Sequence, residues 1–206
     1  MQGVYIPFWL YSGNCEGSIT AEGINTRTWT SGNYRYTEKK YYSVYRNGTL
    51  DFKAVPVDAS SKTDDDAMDS IEPFDYSEMT AFNPGYLSGY LAERYDEDKD
   101  KCLPRAKERI ENTTRDELRN TCNYNSVNVQ SYEKHTEIKD VKYAMLPTWL
   151  LYTTYQDKPY FFAMNGQTGK FIGNLPISKG KLVAYSLLGG VGGYIIGAIL
   201  QIMGIF

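Results

Sequence analysis

The last 25 residues of this 206-residue chain carry no charge, and this segment constrains the chain more than any other feature. All 22 Lys and Arg residues and all 25 Asp and Glu residues lie at or before Lys181. A helix rises about 1.5 Å per residue, so this segment is long enough to cross a hydrocarbon core of about 30 Å with some tilt. A buried core helix is the alternative, but such a helix rarely lacks a polar stripe along its whole length. The sequence therefore predicts a transmembrane helix at 181–206.

The residues before this segment are expected to form one cytoplasmic domain, 1–180. The first residues lack the basic stretch and apolar core of a signal peptide. Lys170, Lys179 and Lys181 precede the apolar segment, in agreement with the positive-inside rule. We therefore expect the domain to stay in the cytoplasm.

Two parts of this domain are expected to contain antiparallel strands, 4–57 and 141–176. Turn-forming residues occur in the first part at 12–14, at 29–36 and at 47–48. Asn-Gly at 47–48 favours a type I′ hairpin turn, which needs positive φ at both central positions. A tight turn that begins at Asn165-Gly166 is expected in the second part.

Residues 83–122 are expected to be helical. Asn83 is a good N-cap with Pro84 at the first helical position. A longer amphipathic helix follows, whose apolar face repeats every four residues. Segment 58–69 is expected to be an acidic loop, and 123–140 to be extended or poorly ordered. The fold class is α+β, with antiparallel hairpins flanking a helical insert, and the predicted buried helix face consists of Ala106, Ile110, Thr114, Leu118 and Cys122.

Candidate catalytic residues are few. His135 is the single histidine and follows Cys122 by 13 positions, but a Cys/His pair also needs an orienting group and an oxyanion site. The three cysteines, at 15, 102 and 122, form no CxxC pair, so neither a disulfide framework nor a zinc ribbon is expected. Acidic residues 64–66 fit a solvated loop better than a metal site. No catalytic residue, metal or cofactor is predicted within this chain.

Aromatic residues are the main candidates for binding. The chain has 19 Tyr residues, and several of them, including Tyr42, cluster at 34–45. Such a surface can bind peptides, sugars or single-stranded nucleic acid, or it can pair across strands within the fold. A formal net charge of −3 makes nucleic acid the weakest of these ligands. Residues considered for binding or domain integrity are Trp9, Trp149, Tyr42, Asn165 and Gly166.

Three glycines repeat every four residues in the C-terminal segment, at Gly189, Gly193 and Gly197. This spacing places them on one helical face, where a neighbouring helix can approach closely in a membrane. The alternative is chance, because glycine is common in membrane helices. We expect a homo-oligomer or pairing with another membrane protein.

Five segments of the chain resemble one family. They are GVYIPFWLY at 3–11, VPVD at 55–58, MDSIEPFDY at 68–76, YLSGYLA at 86–92 and AMNGQTGK at 163–170. In this order they are similar to bacterial membrane proteins labelled "TFIIB-type zinc ribbon-containing protein", which are often also labelled primosomal or replication-restart helicases. The resemblance implies a location at the bacterial inner (cytoplasmic) membrane.

Members of this family usually begin with a CxxC…CxxC zinc ribbon, which this chain lacks. The resemblance therefore implies zinc only in a ribbon ahead of Met1, and a chain that is a fragment or a ribbon-less variant. It also implies flotillin-like (SPFH) and phage-shock-type membrane-stress proteins as partners. The first hypothesis is a non-enzymatic, tail-anchored scaffold. The alternatives are a replication-associated nucleic-acid-binding protein, as the family label implies, and a hydrolase that uses Cys122 and His135.

Overall fold

A computed structural model describes residues 1–173 and 178–202. The chain divides into two compact units. The first consists of Met1–Leu151 and Ala163–Ile172, and the second of Tyr152–Phe162 and Gly173–Phe206.

The described elements alternate long strands with a helical insert. The first part of the chain contains β1 (Gln2–Ser31), β2 (Tyr34–Asp58) and α1 (Asp65–Ser70). Two 3-10 turns (Tyr76–Glu78 and Pro84–Leu87), the short strand β3 (Leu91–Ala92) and helix α2 (Lys99–Asn120) come next. The remaining elements are β4 (Ser126–Tyr155), β5 (Lys158–Asn165), β6 (Phe171–Gly173) and α3 (Lys179–Ile202).

The strands form a sheet in the order β2-β1-β4-β5-β6, and β3 pairs in parallel with β1. Strand β1 lies in the centre of its three-stranded part, antiparallel to β2 on one side and to β4 on the other. The sheet curls as a half-barrel, and α2 packs against β1 and β2. The α+β class with a helical insert between β parts is therefore confirmed.

The predicted apolar face of α2 forms the core beneath this curl. All five predicted positions are buried, including Ile110 and Thr114, which are fully enclosed. One cluster joins Leu118 to Ile19 and Val44 of the sheet. A second cluster joins Ala106 to Tyr11, Val57 and Cys102. The four-residue repeat thus corresponds to the helix face that packs on the sheet.

The first half of β1 is buried on both faces, unlike the rest of the strand. Ile6 and Phe8 are fully buried on the face opposite α2, and the Phe8 ring packs against Phe74 at 5.9 Å between centroids. From Gly13 to Gly23, odd-numbered residues remain buried while even-numbered ones become exposed or half-buried. We call these two faces of the sheet the inner face, against α2, and the outer face.

Two predicted turns are wrong, because both segments continue as strand. Gly13 lies inside β1 next to an irregularity in its pairing, where it lies against Glu137 and Ile138 of β4. Asn47 and Gly48 lie inside β2, paired with Ser18 and Gly17 of β1. The pairing on both sides of these residues overrides the local turn preference. The predicted hairpin tip at 29–36 and the tight turn after Asn165 are confirmed, with positive φ at Gly32 and at Gly169.

Two segments predicted from local pattern also differ from the structure, and a third is extended, which is one of its two predicted states. The acidic loop contains α1, because the Asp64 side chain accepts a hydrogen bond from the backbone N–H of Ala67 and caps the helix. Asn83 and Pro84 begin only a 3-10 turn, and Leu91 belongs to a strand rather than to a helix. Polar segment 123–140, predicted to be extended or poorly ordered, is extended and forms most of the first half of β4. One face of this segment lies against α2, and the other face is exposed.

The C-terminal segment is helical over Lys179–Ile202, and residues 203–206 lie outside the described residues. Leu187, Leu188 and Tyr194 on this helix are exposed. Over 1–173 and 178–202, the structure contains no helix with both the length and the apolarity that crossing a membrane requires. The transmembrane helix expected at 181–206 includes residues outside this range and stays a prediction.

Candidate interaction surface

An open groove of about 490 Å³ crosses the outer face where β1 lies between β2 and β4. Cross-strand pairing forms its floor, because residues that pair across three strands lie side by side. We call this surface the outer groove. Two rows form it, with His135, Glu16 and Thr49 in one and Glu133, Ser18 and Asn47 in the other.

The outer groove is polar, and Tyr45 borders it. Glu16, which pairs with His135, and Glu133, two residues before His135 in β4, carry negative charge in the groove. Lys134 lies on the inner face instead, where its Nζ donates to Glu111 of α2. Backbone groups of the three strands are engaged in the ladders, so side chains provide the free donors and acceptors. Such a surface suits a polar segment of a partner that presents basic side chains.

The structure does not bring Cys122 and His135 together. Cys122 is buried in the inner-face cluster, where its Sγ donates a hydrogen bond to the carbonyl of Leu118 at 3.6 Å. His135 is exposed and pairs with Glu16, which places it on the outer face. The sheet therefore separates the two residues.

Charged residues meet at a second place, between α1 and α2, which we call the arginine cluster. Arg105 Nη1 donates to Asp58 Oδ1 at 2.6 Å, and its Nη2 donates to Asp69 Oδ1 at 2.7 Å. One helical turn later, Arg109 Nη2 donates to Glu72 Oε2 at 2.7 Å, and Nη1 donates to the carbonyl of Pro56. The cluster ties α1 and the end of β2 to α2.

Burial controls the protonation of this cluster. The Asp58 side chain is almost fully enclosed, and burial raises its pKa from 3.8 to about 6 although Arg105 and Thr63 donate hydrogen bonds to it. Burial also raises the pKa of Glu72, against the influence of Arg109. In the predicted acidic segment, Asp65 pairs with Arg105 and Asp64 caps α1, so both carboxylates have partners within the protein. In the described part of the chain, no group of three or more His, Cys, Asp or Glu residues could hold a metal ion.

Asn165 and Gly166 make structural contacts within the first unit. Asn165 is fully buried, and its Nδ2 donates to the carbonyls of Ile71 and Pro73 at 3.0 and 2.9 Å. Gly166 donates its N–H to the carbonyl of Pro147, so closely that a Cβ would meet that residue at 2.8 Å. The turn that these two residues begin is therefore fastened to the segment after α1 and to β4.

The two candidate tryptophans are half-buried, whereas Tyr42 is exposed. Trp9 donates its indole N–H to the carbonyl of Glu97 at 2.9 Å, and its ring contacts Tyr143. Trp149 contacts Tyr90 edge-on, at 6.1 Å between centroids. Tyr42 is 41% exposed and packs on the Tyr124 ring at 5.2 Å. Of the three side chains, that of Tyr42 is the most exposed to solvent.

Sequence reasoning missed the outer groove and the arginine cluster. The groove was not predicted because 47–48 was expected to be a turn, which removes the strand that carries Asn47 and Thr49. The available signal was the alternation of polar Glu16 and Ser18 with Gly17, which is typical of a strand with one exposed face. For the arginine cluster, the spacing of Arg105 and Arg109, one turn apart on α2, was the available signal. Their carboxylate partners come from segments 36 to 47 positions away, which spacing does not reveal.

A curated relative comes from Bacillus subtilis (strain 168) and is named "Uncharacterized protein YdjG". It is 39% identical to this chain over 184 residues, which is 89% of the chain and 54% of the relative. The chain therefore spans about half the length of the relative. No family model matches the sequence, and no solved structure matches it.

Proposed function

We propose that the protein is a non-enzymatic scaffold that is anchored to the bacterial cytoplasmic membrane and binds a protein partner through the outer groove. The observation that carries the proposal is the difference between the two faces of the sheet. Packing against α2 fills the inner face, while the outer face exposes the polar rows around His135 and Glu16. A polar, open surface on a rigid sheet is suited to recognising another protein.

The environment of the cysteines supports a role other than catalysis. Burial raises the pKa of the Cys102 thiol to about 11, so the thiol is protonated at neutral pH. Cys122 is buried and separated from His135 by the sheet. These features disfavour the alternative of a hydrolase that uses Cys122 and His135.

The anchor in the proposal is the C-terminal segment, 181–206. Its support is the sequence, since no charged residue follows Lys181 and three basic residues precede it closely. Leu188→Arg tests this anchor, because an arginine near the centre of a spanning helix opposes insertion by about 3 kcal/mol. We expect the variant to be extracted from membranes by alkaline carbonate, whereas wild type and a Leu188→Phe control remain. Extraction of wild type would contradict the anchor.

The resemblance supports the choice of partners. It points to flotillin-like (SPFH) and phage-shock-type membrane-stress proteins, and to a zinc ribbon ahead of Met1 rather than to a metal within this chain. The relative from Bacillus subtilis supports a bacterial origin. The replication-associated alternative is less well supported, because the outer groove carries two glutamates and the chain has a net charge of −3.

A binding measurement with purified partners tests the proposal. The full chain in detergent is titrated with a flotillin-like protein and with a phage-shock-type protein from the same bacterium. We expect binding that Tyr45→Ala with His135→Ala weakens at least about tenfold, as for residues central to an interface. The control changes Tyr86 and Lys139 to Ala, which removes an exposed tyrosine and an exposed charge outside the groove. Equal loss in both variants, or no binding to either protein, would contradict the proposal.

A further inference from the structure

The tip of the β1–β2 hairpin extends beyond the neighbouring strand. β4 begins at Ser126, which pairs with Ile24 of β1. From Asn25 onward, β1 pairs with β2 and with no other described strand, up to the turn at Gly32 and Asn33. We call this two-stranded extension, residues 25–40, the arm.

The arm has the opposite charge to the rest of the chain. It contains four basic residues and one acidic residue, a net charge of +3, while the whole chain carries −3. The remainder therefore carries −6, since −3 minus +3 is −6. The basic residues are spread along both strands of the arm, at Arg27, Arg35, Lys39 and Lys40. A surface of this sign is complementary to an anionic partner.

Aromatic rings near the end of the arm are exposed to solvent. Tyr34, next to the turn, is 71% exposed, and Trp29 is 42% exposed. Trp29 stacks on its cross-strand partner Tyr36, with 5.6 Å between centroids and 15° between planes. The guanidinium of Arg27 lies over the Trp29 ring, 5.7 Å from its centroid. The arm thus presents aromatic and basic groups together.

We infer that the arm binds the anionic headgroup surface of a phospholipid bilayer. Tryptophan and tyrosine favour the headgroup region, where the apolar ring and the polar tip are both satisfied. Clustered Lys and Arg residues add attraction to anionic lipids within a Debye length of the surface. Single-stranded nucleic acid fits less well, because bases stack on open ring faces, and Tyr36 and Arg27 already pack against the Trp29 ring. The inference goes beyond the proposed function and needs neither the outer groove nor the C-terminal anchor.

The test follows Trp29 in the full chain. Protein is mixed with vesicles of phosphatidylcholine, or of an equimolar mixture with phosphatidylglycerol, whose acyl chains carry bromine as a quencher. The contribution of Trp29 is the difference between wild type and Trp29→Phe. We expect quenching of Trp29 with phosphatidylglycerol at low salt, and at least about tenfold weaker binding in ~0.5 M salt.

Two variants of equal net charge separate the arm from general electrostatics. The arm variant changes Arg27, Arg35, Lys39 and Lys40 to Gln. The control changes Lys53, Lys62, Lys99 and Lys139, exposed lysines outside the arm, to Gln. Each variant has a net charge of −7, since −3 minus 4 is −7. We expect the arm variant to lose Trp29 quenching and the control to keep it.

Three results would overturn the inference. They are an unquenched Trp29 with phosphatidylglycerol, equal loss in both variants, and arm-dependent binding to a single-stranded oligonucleotide that is tighter than binding to the vesicles. Failure of the anchor gives a different result. A chain without a working anchor sediments only with the anionic vesicles, whereas Trp29 quenching reports on the arm in either case.

Discussion

Arg105 donates a hydrogen bond to Asp58 at 2.6 Å, in a place where the carboxylate is almost completely removed from water. The pair joins α2 to the end of β2, next to α1. Burial raises the pKa of Asp58 to about 6 despite this partner. Between pH 3.8 and about 6, Asp58 is therefore protonated in the folded state and ionised in the unfolded state.

This difference makes stability depend on pH. The contribution of protonated Asp58 is complete below pH 3.8 and is lost as the pH rises to about 6. Relative to Asp58→Asn, the free energy of unfolding of wild type should fall by at most ~3 kcal/mol over this range. Urea unfolding of both proteins at a series of pH values measures the difference. A difference that stays constant from pH 4 to pH 6 would contradict the assignment.

Arg109 is expected to be important for stability because it compensates a buried carboxylate. Arg109→Met leaves Glu72, whose side chain is 17% exposed, without its main partner. We expect a loss of about 3 kcal/mol in the free energy of unfolding at neutral pH. Arg115→Met is the control, since Arg115 pairs with Asp116 at the surface and should change stability by less than about 0.5 kcal/mol. Equal effects would show that the arginine cluster does not stabilise the fold.

Two glycines that were predicted to form turns should differ sharply in their tolerance of alanine. A Cβ at Gly13 would lie 2.0 Å from the backbone oxygen of Glu137, so Gly13→Ala should cost about 3 kcal/mol or more. A Cβ at Gly48 meets nothing closer than Leu118 Cδ2 at 3.5 Å, and the φ of Gly48 is not positive. Gly48→Ala should therefore change the free energy of unfolding by less than about 1 kcal/mol. A large loss of unfolding free energy in Gly48→Ala would instead support the predicted turn at 47–48.

The glycine face of α3 is expected to control association in the membrane. Gly193→Ile should weaken association at least about tenfold, because close approach of a second helix needs a small residue there. The side chain itself should be accommodated, since a Cβ at Gly193 meets no atom within 4 Å. Gly192→Ile is the control, with the same open surroundings on another side of the helix. A membrane two-hybrid assay compares the two variants, and an unchanged signal for Gly193→Ile would contradict association through this face.

Local pattern predicted α2 and the turn after Asn165 because each depends on residues close together in sequence. The buried positions of α2 repeat every four residues, and Gly169 follows Asn165 within one turn. The interior of β2 was not predictable in this way, because Asn47-Gly48 has the local chemistry of a turn and only its pairing with β1 keeps it extended. The outer groove depends on the same pairing, since Glu16 meets His135 across 119 positions of sequence. Register at that distance is set by packing against α2 and not by any local signal.

The central position of β1 also determines the order in which the fold can be completed during synthesis. Gly3 of β1 pairs with Trp149 of β4, so β1 leaves the ribosome well before β4 has been synthesised. The hairpin with β2 forms from neighbouring sequence, but the other edge must wait for α2 and then β4. Until then a long row of backbone donors and acceptors stays unpaired, which is the kind of edge that recruits foreign strands. A chain that is released before β4 has been synthesised should therefore be prone to aggregation.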